Sequence, residues 1–328
     1  MSSQTSIQSS ANAPVISAAA QSKPRFSRRT LIIVALLTLY IVWSTTYLGI
    51  RFAMVSFPPY MLMGIRFVIA GGILFVVARI RHLPMPTLRQ WRNSAIYGGL
   101  LLVMGMGGVA LAEGEVSSGL AATMVAVSPV WAMLFGLLWG NRPRRLEWIG
   151  VLFGIGGVAL LSLEGNLQAN PTGVLLLLFS SLCWSLGSVW SKHMDLPKGM
   201  MATASEFLAG GTLLLIVATI RGEHLADAPT VGAVAALIYL IVLGSWATFT
   251  AYNFLLREVR PALATSYALV NPALALVLGV ILGGEQITGS AVIALPIILI
   301  GLALVAFPKK EPSEPSLRSK EPSVVTVE

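Results

Sequence analysis

The sequence predicts an all-α integral membrane protein with ten transmembrane helices arranged as two inverted five-helix repeats. Three observations carry that reading. Composition comes first: 55% of the 328 residues are hydrophobic, 11% are charged and the mean hydropathy is +0.79, far from a soluble domain. Next, the basic residues gather in short clusters between apolar runs, so the net charge of +8 reads as a topology signal and not as a nucleic-acid footprint. Finally, the second half of the chain repeats the first.

Taken in order, residues 1–30 are rich in Ser, Gln and Ala, end in the basic "KPRFSRR", and predict a disordered cytoplasmic tail. Leu31 opens the first of ten apolar runs, each of about the 20 residues a bilayer requires. This run lacks the short apolar core and small-residue cleavage site of a removable signal peptide, so it predicts a retained first helix. The runs fall at 31–52, 58–80, 93–112, 116–140, 146–163, 172–192, 199–220, 231–254, 260–283 and 288–308. Residues 309–328, built of Pro, Glu, Lys and Ser, form a second disordered tail. With the N-terminus inside, the inner connections collect Arg79, Arg81, Arg89, Arg92, Arg142, Arg144, Arg145, Lys192, Lys198, Arg257, Arg260, Lys309 and Lys310. The outer connections keep only Arg51 and Arg221, which predicts a multi-pass protein of the cytoplasmic membrane with both termini cytoplasmic. Cys183 is the single cysteine, so no intrachain disulfide forms.

Aligning Ser128-Pro129 with Asn271-Pro272 sets "GLAATMVAVSPVWAMLFGLLWG" on "ALATSYALVNPALALVLGVILG", five helices later. Helices one and two recur in six and seven, as "VWS" with "CWS" and "RFVIAGG" with "EFLAGG". An odd number of helices per copy makes the second copy enter from the opposite side. That inverted duplication, over residues 31–165 and 170–308, is the usual architecture of a secondary transporter, with its site near the midplane between repeats.

The motifs "WSTTYLGIRF", "PPYMLMGIRFVIAGG", "RRLEWIG", "LPKGMM" and "PALATSYALVNP", spread over Leu31 to Pro308, resemble the drug/metabolite transporter superfamily, specifically chains with two EamA domains. The resemblance implies a central cavity walled by helices one to four and six to nine, with helices five and ten outside it. It also implies export of small metabolites or drugs. One departure follows helix four, where Asn141 stands where the second copy has Gly284, which is followed there by Glu285.

Polar residues within the spans mark the candidate site, because in lipid they face protein or a water-filled cavity. Helical spacing places Tyr40, Trp43 and Tyr47 on one face of helix one, and Ser181, Trp184, Ser188 and Ser191 on one face of helix six. Helix eight contributes Ser245, Thr248 and Tyr252, and helix nine Tyr267 and Asn271. Together they predict an aromatic-walled cavity for an amphipathic small molecule, although hydroxyls also ease helix packing and Trp and Tyr also anchor at interfaces. Pro129 and Pro272 predict kinks that bow helices four and nine or act as hinges. Arg66 and Glu206 each lie about 12 Å deep from opposite sides. Their depths then differ by only about 6 Å in a core of about 30 Å, which predicts a pair across the repeat axis. Either member is a candidate to meet a solute charge or a coupling proton.

An intramembrane enzyme needs a metal motif, paired intramembrane aspartates or a Ser with a partnered His; Asp195, Asp227 and all three histidines lie outside the spans. No metal-ligand or cofactor motif is found, and without GxxxxGK[ST] the energy must come from a gradient or the solute. The segments between helices are too short for a channel filter, and a sensor or scaffold leaves the inverted duplication unexplained. The expected partners are a small solute and the lipid bilayer, with no nucleic acid. Monomer and homodimer both stay open.

Overall fold

In the computed structural model, residues 27–112, 121, 124–162, 171–274 and 289–306 are described. Their regular structure is all helical, with no strand among the described residues. In chain order the helices are α1 (Arg28–Ala53), α2 (Pro59–Ile80), α3 (Leu88–Ala112), α4 (Ser128–Leu138) and α5 (Arg145–Ser162). Then follow α6 (Pro171–His193), α7 (Met200–Ile220), α8 (Val231–Glu258), α9 (Pro261–Ala264, resuming over 267–274) and α10 (Gly289–Ala306). Six of these, α1, α2, α3, α6, α7 and α8, are long and apolar enough to cross a membrane. Most of both tails, together with Glu113, Glu115 and Glu285, lies outside the described residues.

Helix starts are set by side-chain caps that an apolar window does not see. Ser27 accepts from the Thr30 amide at 3.1 Å, and Thr230 from the Ala233 amide at 3.2 Å. At α3, Thr87 and Gln90 form a reciprocal capping box, so this helix begins five residues before the predicted 93. Its polar first turn, "LRQW", carries no hydropathy signal.

The core is built on close antiparallel crossings. A side chain on Gly71 would meet the Leu208 amide and Phe207 Cβ at 2.8 Å, and one on Gly211 would meet the Val68 amide at 2.9 Å. Only glycine lets α2 and α7 approach this closely. Gly150 and Gly301 allow the same between α5 and α10. Alongside, α1 runs antiparallel to α8, from Arg28–Glu258 at one end to Ser56–Thr230 at the other. Similarly, α3 runs antiparallel to α6, with Gly105 against Trp184 and Gly187 against Leu101.

Both α3 and α8 change to π-helical winding midway, over Gly99–Gly107 and Val242–Ala247. Each therefore turns its second half out of phase with its first. The bundle's two ends differ in charge. Arg28, Arg89, Arg144, Lys192 and Arg260 share one end, where Glu147 is buried against Arg260 (2.9 Å) and Arg144 (3.3 Å). At the opposite end Glu223 accepts from the Met61 amide at 2.8 Å and pairs with Arg221.

Candidate functional site

An aromatic layer crosses the middle of the bundle. Trp43 of α1 sits at its centre, 4.4 Å from Tyr267, 5.2 Å from Tyr252 and 5.6 Å from both Trp184 and Phe249, centroid to centroid. Phe249 continues to Phe207 (4.9 Å) and Phe67 (5.6 Å). Polar edges fix the orientation of these rings. Trp184 Nε1 donates to the Tyr252 hydroxyl at 2.9 Å. Ser188 Oγ donates to the Trp184 carbonyl at 2.6 Å, so its oxygen is left to accept the Tyr252 proton, also at 2.6 Å. α6 and α8 are thereby latched by one continuous hydrogen-bond chain.

On one side of the layer lies a cavity lined by Trp43, Thr46, Tyr47, Ser128, Ser180, Trp184, Tyr267 and Asn271. It holds about 580 Å³ of empty space, a figure that includes space continuous with bulk solvent. Most hydroxyls here are bonded to their own helix: Ser181 to the Leu178 carbonyl, Ser128 to that of Val125, Thr46 to that of Trp43. The exceptions are Trp43 Nε1 and Ser180 Oγ, buried without a partner among the described residues. A buried donor left unpaired costs free energy, so such groups mark where an acceptor is expected.

A second cavity lies on the other side of the layer, at the basic end, with about 950 Å³ of empty space that likewise includes space continuous with bulk solvent. It is lined by Tyr97, Ser191, Lys192, Lys198, Glu206, Asn253 and Arg257. Both cavities draw walls from α3 and α6. On α3, Gly105, Met106 and Val109 face the first and Tyr97 the second; on α6, Ser180, Ser181 and Trp184 face the first and Ser191 and Lys192 the second. The Trp184–Tyr252–Ser188 latch falls between them.

The structure sorts the residues read from the sequence. Trp43, Tyr47, Trp184, Tyr267 and Asn271 share the first cavity; Ser188 and Tyr252 form the latch, with Trp184 common to both; Glu206 belongs to the second cavity. Arg66 lines neither. The expected pairing of Arg66 with Glu206 is not made. The α2–α7 crossing sets Phe67 and Val68 against Gly211, which leaves Arg66 and Glu206 offset by about seven residues, roughly 10 Å of helix rise. Arg66, fully buried, instead enters the π segment of α8. Its Nη2 donates to the Gly244 carbonyl at 2.6 Å and its Nε to Ser245 Oγ at 2.8 Å. Glu206 accepts from Asn253 Nδ2 at 3.1 Å through Oε2.

Pro129 stands in the first turn of α4, where its missing amide is tolerated, and the helix is interrupted just before it, at Ala126–Val127. Ser128 Oγ takes the Val125 carbonyl that the proline leaves free, at 2.6 Å. In α9 the interruption falls at Thr265–Ser266, six residues before Pro272, and Asn271 Oδ1 accepts from Ser44 of α1 at 3.1 Å. Asn253 and Tyr97, joined at 3.0 Å, were not singled out from the sequence.

An all-helical bundle of apolar helices, with cavities on either side of an aromatic layer, has the form of a membrane-transport protein, and the comparisons supply the class. The profile of the EamA-like transporter family matches residues 30–163 and again 171–307; the chain belongs to this family. It is 43% identical over 276 residues to a protein of Escherichia coli K12 named an uncharacterized inner membrane transporter, YedA, covering 84% of this chain and 90% of that one. The Bacillus subtilis transporter YvbV is 26% identical, with 84% and 91% covered. One solved crystal structure, titled only as that of a protein, shares the fold with a TM-score of 0.72 at 21% identity, over 85% of this chain and 97% of the other.

Proposed function

We propose that this chain is a secondary transporter that exports small amphipathic solutes, such as amino acids or drugs, across the cytoplasmic membrane by alternating access. The observation that carries the reading is the pair of cavities sharing α3 and α6 and divided by the Trp184–Tyr252–Ser188 latch. In this reading the aromatic layer and those hydrogen bonds are the barrier between the two cavities. Rearranging α6 against α8 would open one side as it closes the other.

Two inverted five-helix repeats, spanning ten helices over 31–165 and 170–308, supply the symmetry such a motion needs. Three features support them: the reciprocal Gly71 and Gly211 crossing, the α1–α8 contact mirrored by α6–α3, and π segments in both α3 and α8. The basic end is then the cytoplasmic one, carrying both termini, so the cavity around Glu206 faces the cytoplasm. The breaks beside Pro129 and ahead of Pro272 are the flexible points of α4 and α9 in this scheme.

The test is counterflow of labelled leucine and of small amphiphilic drugs into liposomes holding the purified protein. Saturable uptake driven by internal unlabelled solute is expected for at least one of them. Uptake that follows the gradient linearly and never saturates would indicate a pore instead.

A further inference from the structure

Glu206 is 1% exposed on α7, yet only half of its carboxylate is satisfied. Oε2 accepts from Asn253 Nδ2, while Oε1 has no partner among the described residues. Asn253 is itself held, its amide oxygen accepting from the Tyr97 hydroxyl at 3.0 Å and its Nδ2 lying 3.3 Å from Thr203 Oγ1. The carboxylate is therefore fixed by α3 and α8 with one oxygen left over. It lines the cavity at the basic end, whose rim carries Lys192, Lys198 and Arg257. Lys192 reaches the Val259 carbonyl at 3.3 Å, and neither Lys198 nor Arg257 has an ion-pair partner among the described residues.

We infer that this cavity is a loading subsite for a zwitterionic amino acid, with the ammonium on Glu206 Oε1 and the carboxylate toward Arg257 and Lys198. A primary ammonium brings three donors to a fixed acceptor, the complement of what the buried oxygen lacks. The basic rim favours the anionic end of the same molecule and orients it, ammonium inward. A monocation meets the rim as repulsion, and a monoanion meets Glu206 as repulsion; only the zwitterion suits both. This rests on the transporter reading for its purpose, though the binding itself does not need flux.

The experiment is equilibrium binding to purified full-length protein with three probes of one carbon skeleton: leucine, 3-methylbutylamine, which lacks the carboxylate, and 4-methylpentanoate, which lacks the ammonium. Wild type should bind leucine best. Glu206→Gln keeps an oxygen for Asn253 and preserves the fold, and should weaken leucine and 3-methylbutylamine at least tenfold while leaving 4-methylpentanoate no weaker. Arg257→Gln should weaken leucine but not 3-methylbutylamine. The inference is overturned if wild type shows no saturable binding of leucine, or if Glu206→Gln binds leucine as tightly as wild type and loses only a pH dependence of flux, which would make Glu206 a proton carrier. Binding that behaves as expected with no flux in liposomes would instead overturn the transporter reading and leave the subsite standing.

Discussion

The two cavities lie against one aromatic layer and are furnished in opposite ways. The first is walled by Trp43, Trp184 and Tyr267 and offers donors that are unpaired among the described residues, Trp43 Nε1 and Ser180 Oγ. Lining residues at the basic end bring a buried carboxylate with one acceptor unpaired among the described residues, accompanied by Lys192, Lys198 and Arg257. In the proposed transport, a solute moving between them exchanges a charged setting for an aromatic, uncharged one. On this account open hydrogen-bonding capacity, more than burial of charge alone, separates a binding group from a structural one. Arg66 makes the contrast: it is as deeply buried as Glu206, but its guanidinium is bonded to the π segment of α8 and lines neither cavity.

The largest effect expected follows from that contrast. Arg66→Met removes two charge-assisted hydrogen bonds, although the Gly244 carbonyl keeps the Thr248 hydroxyl at 2.7 Å and Ser245 Oγ still donates to the Leu240 carbonyl at 3.0 Å. A hydrogen bond to a charged group contributes about 1.5–3 kcal/mol. Reversible unfolding in detergent should show a loss of that size, while the protein that stays folded binds leucine as wild type does. Weakened binding in the folded fraction would mean that Arg66 reaches solute, and the contrast with Glu206 would fail.

A smaller effect is expected at the latch. Tyr252→Phe removes the hydroxyl that accepts from Trp184 and donates to Ser188; Ser188 keeps the Trp184 carbonyl, so one buried donor, Trp184 Nε1, loses this acceptor, at about 1–3 kcal/mol. Stability in detergent should fall by less than in Arg66→Met, because one group is affected and the ring still packs on Trp43 and Tyr267. Limited proteolysis and hydrogen exchange should localise the loosening to α6 and α8. A uniform loss across the bundle would show that the layer is ordinary core and that its hydrogen bonds separate nothing.

Much of this was legible in the sequence where helices are regular. The stripes Trp43–Tyr47 and Trp184–Ser188 were visible because α1 and the body of α6 keep a steady helical period. Tyr97 and Asn253 were hidden for different reasons. Tyr97 stands two residues before the π segment of α3, where the helical phase begins to slip, while Asn253 follows Tyr252 in regular helix and so sits about 100° round from the stripe Ser245, Thr248, Tyr252. Arg66 was assigned a carboxylate partner because depth was counted from helix ends. The backbone carbonyl it meets at Gly244 has no signature in composition or charge. Ser128 and Asn271 were legible as a repeat pair, but not their different tasks, one taking the freed Val125 carbonyl and the other the Ser44 hydroxyl.

The most direct test of the central claim, that two cavities are opened in turn, is cysteine accessibility from the two sides of the membrane. Replacing the single native cysteine, Cys183→Ala, gives the background, and Ser181→Cys and Ala202→Cys then report separately on the first and second cavities. Each variant in liposomes is titrated with a membrane-impermeant maleimide, with and without leucine on one side. The account predicts opposite responses: whatever raises the labelling rate at position 181 lowers it at 202. Rates that rise together, so that reagent from one side reaches both positions at once, would show a continuous passage and contradict it.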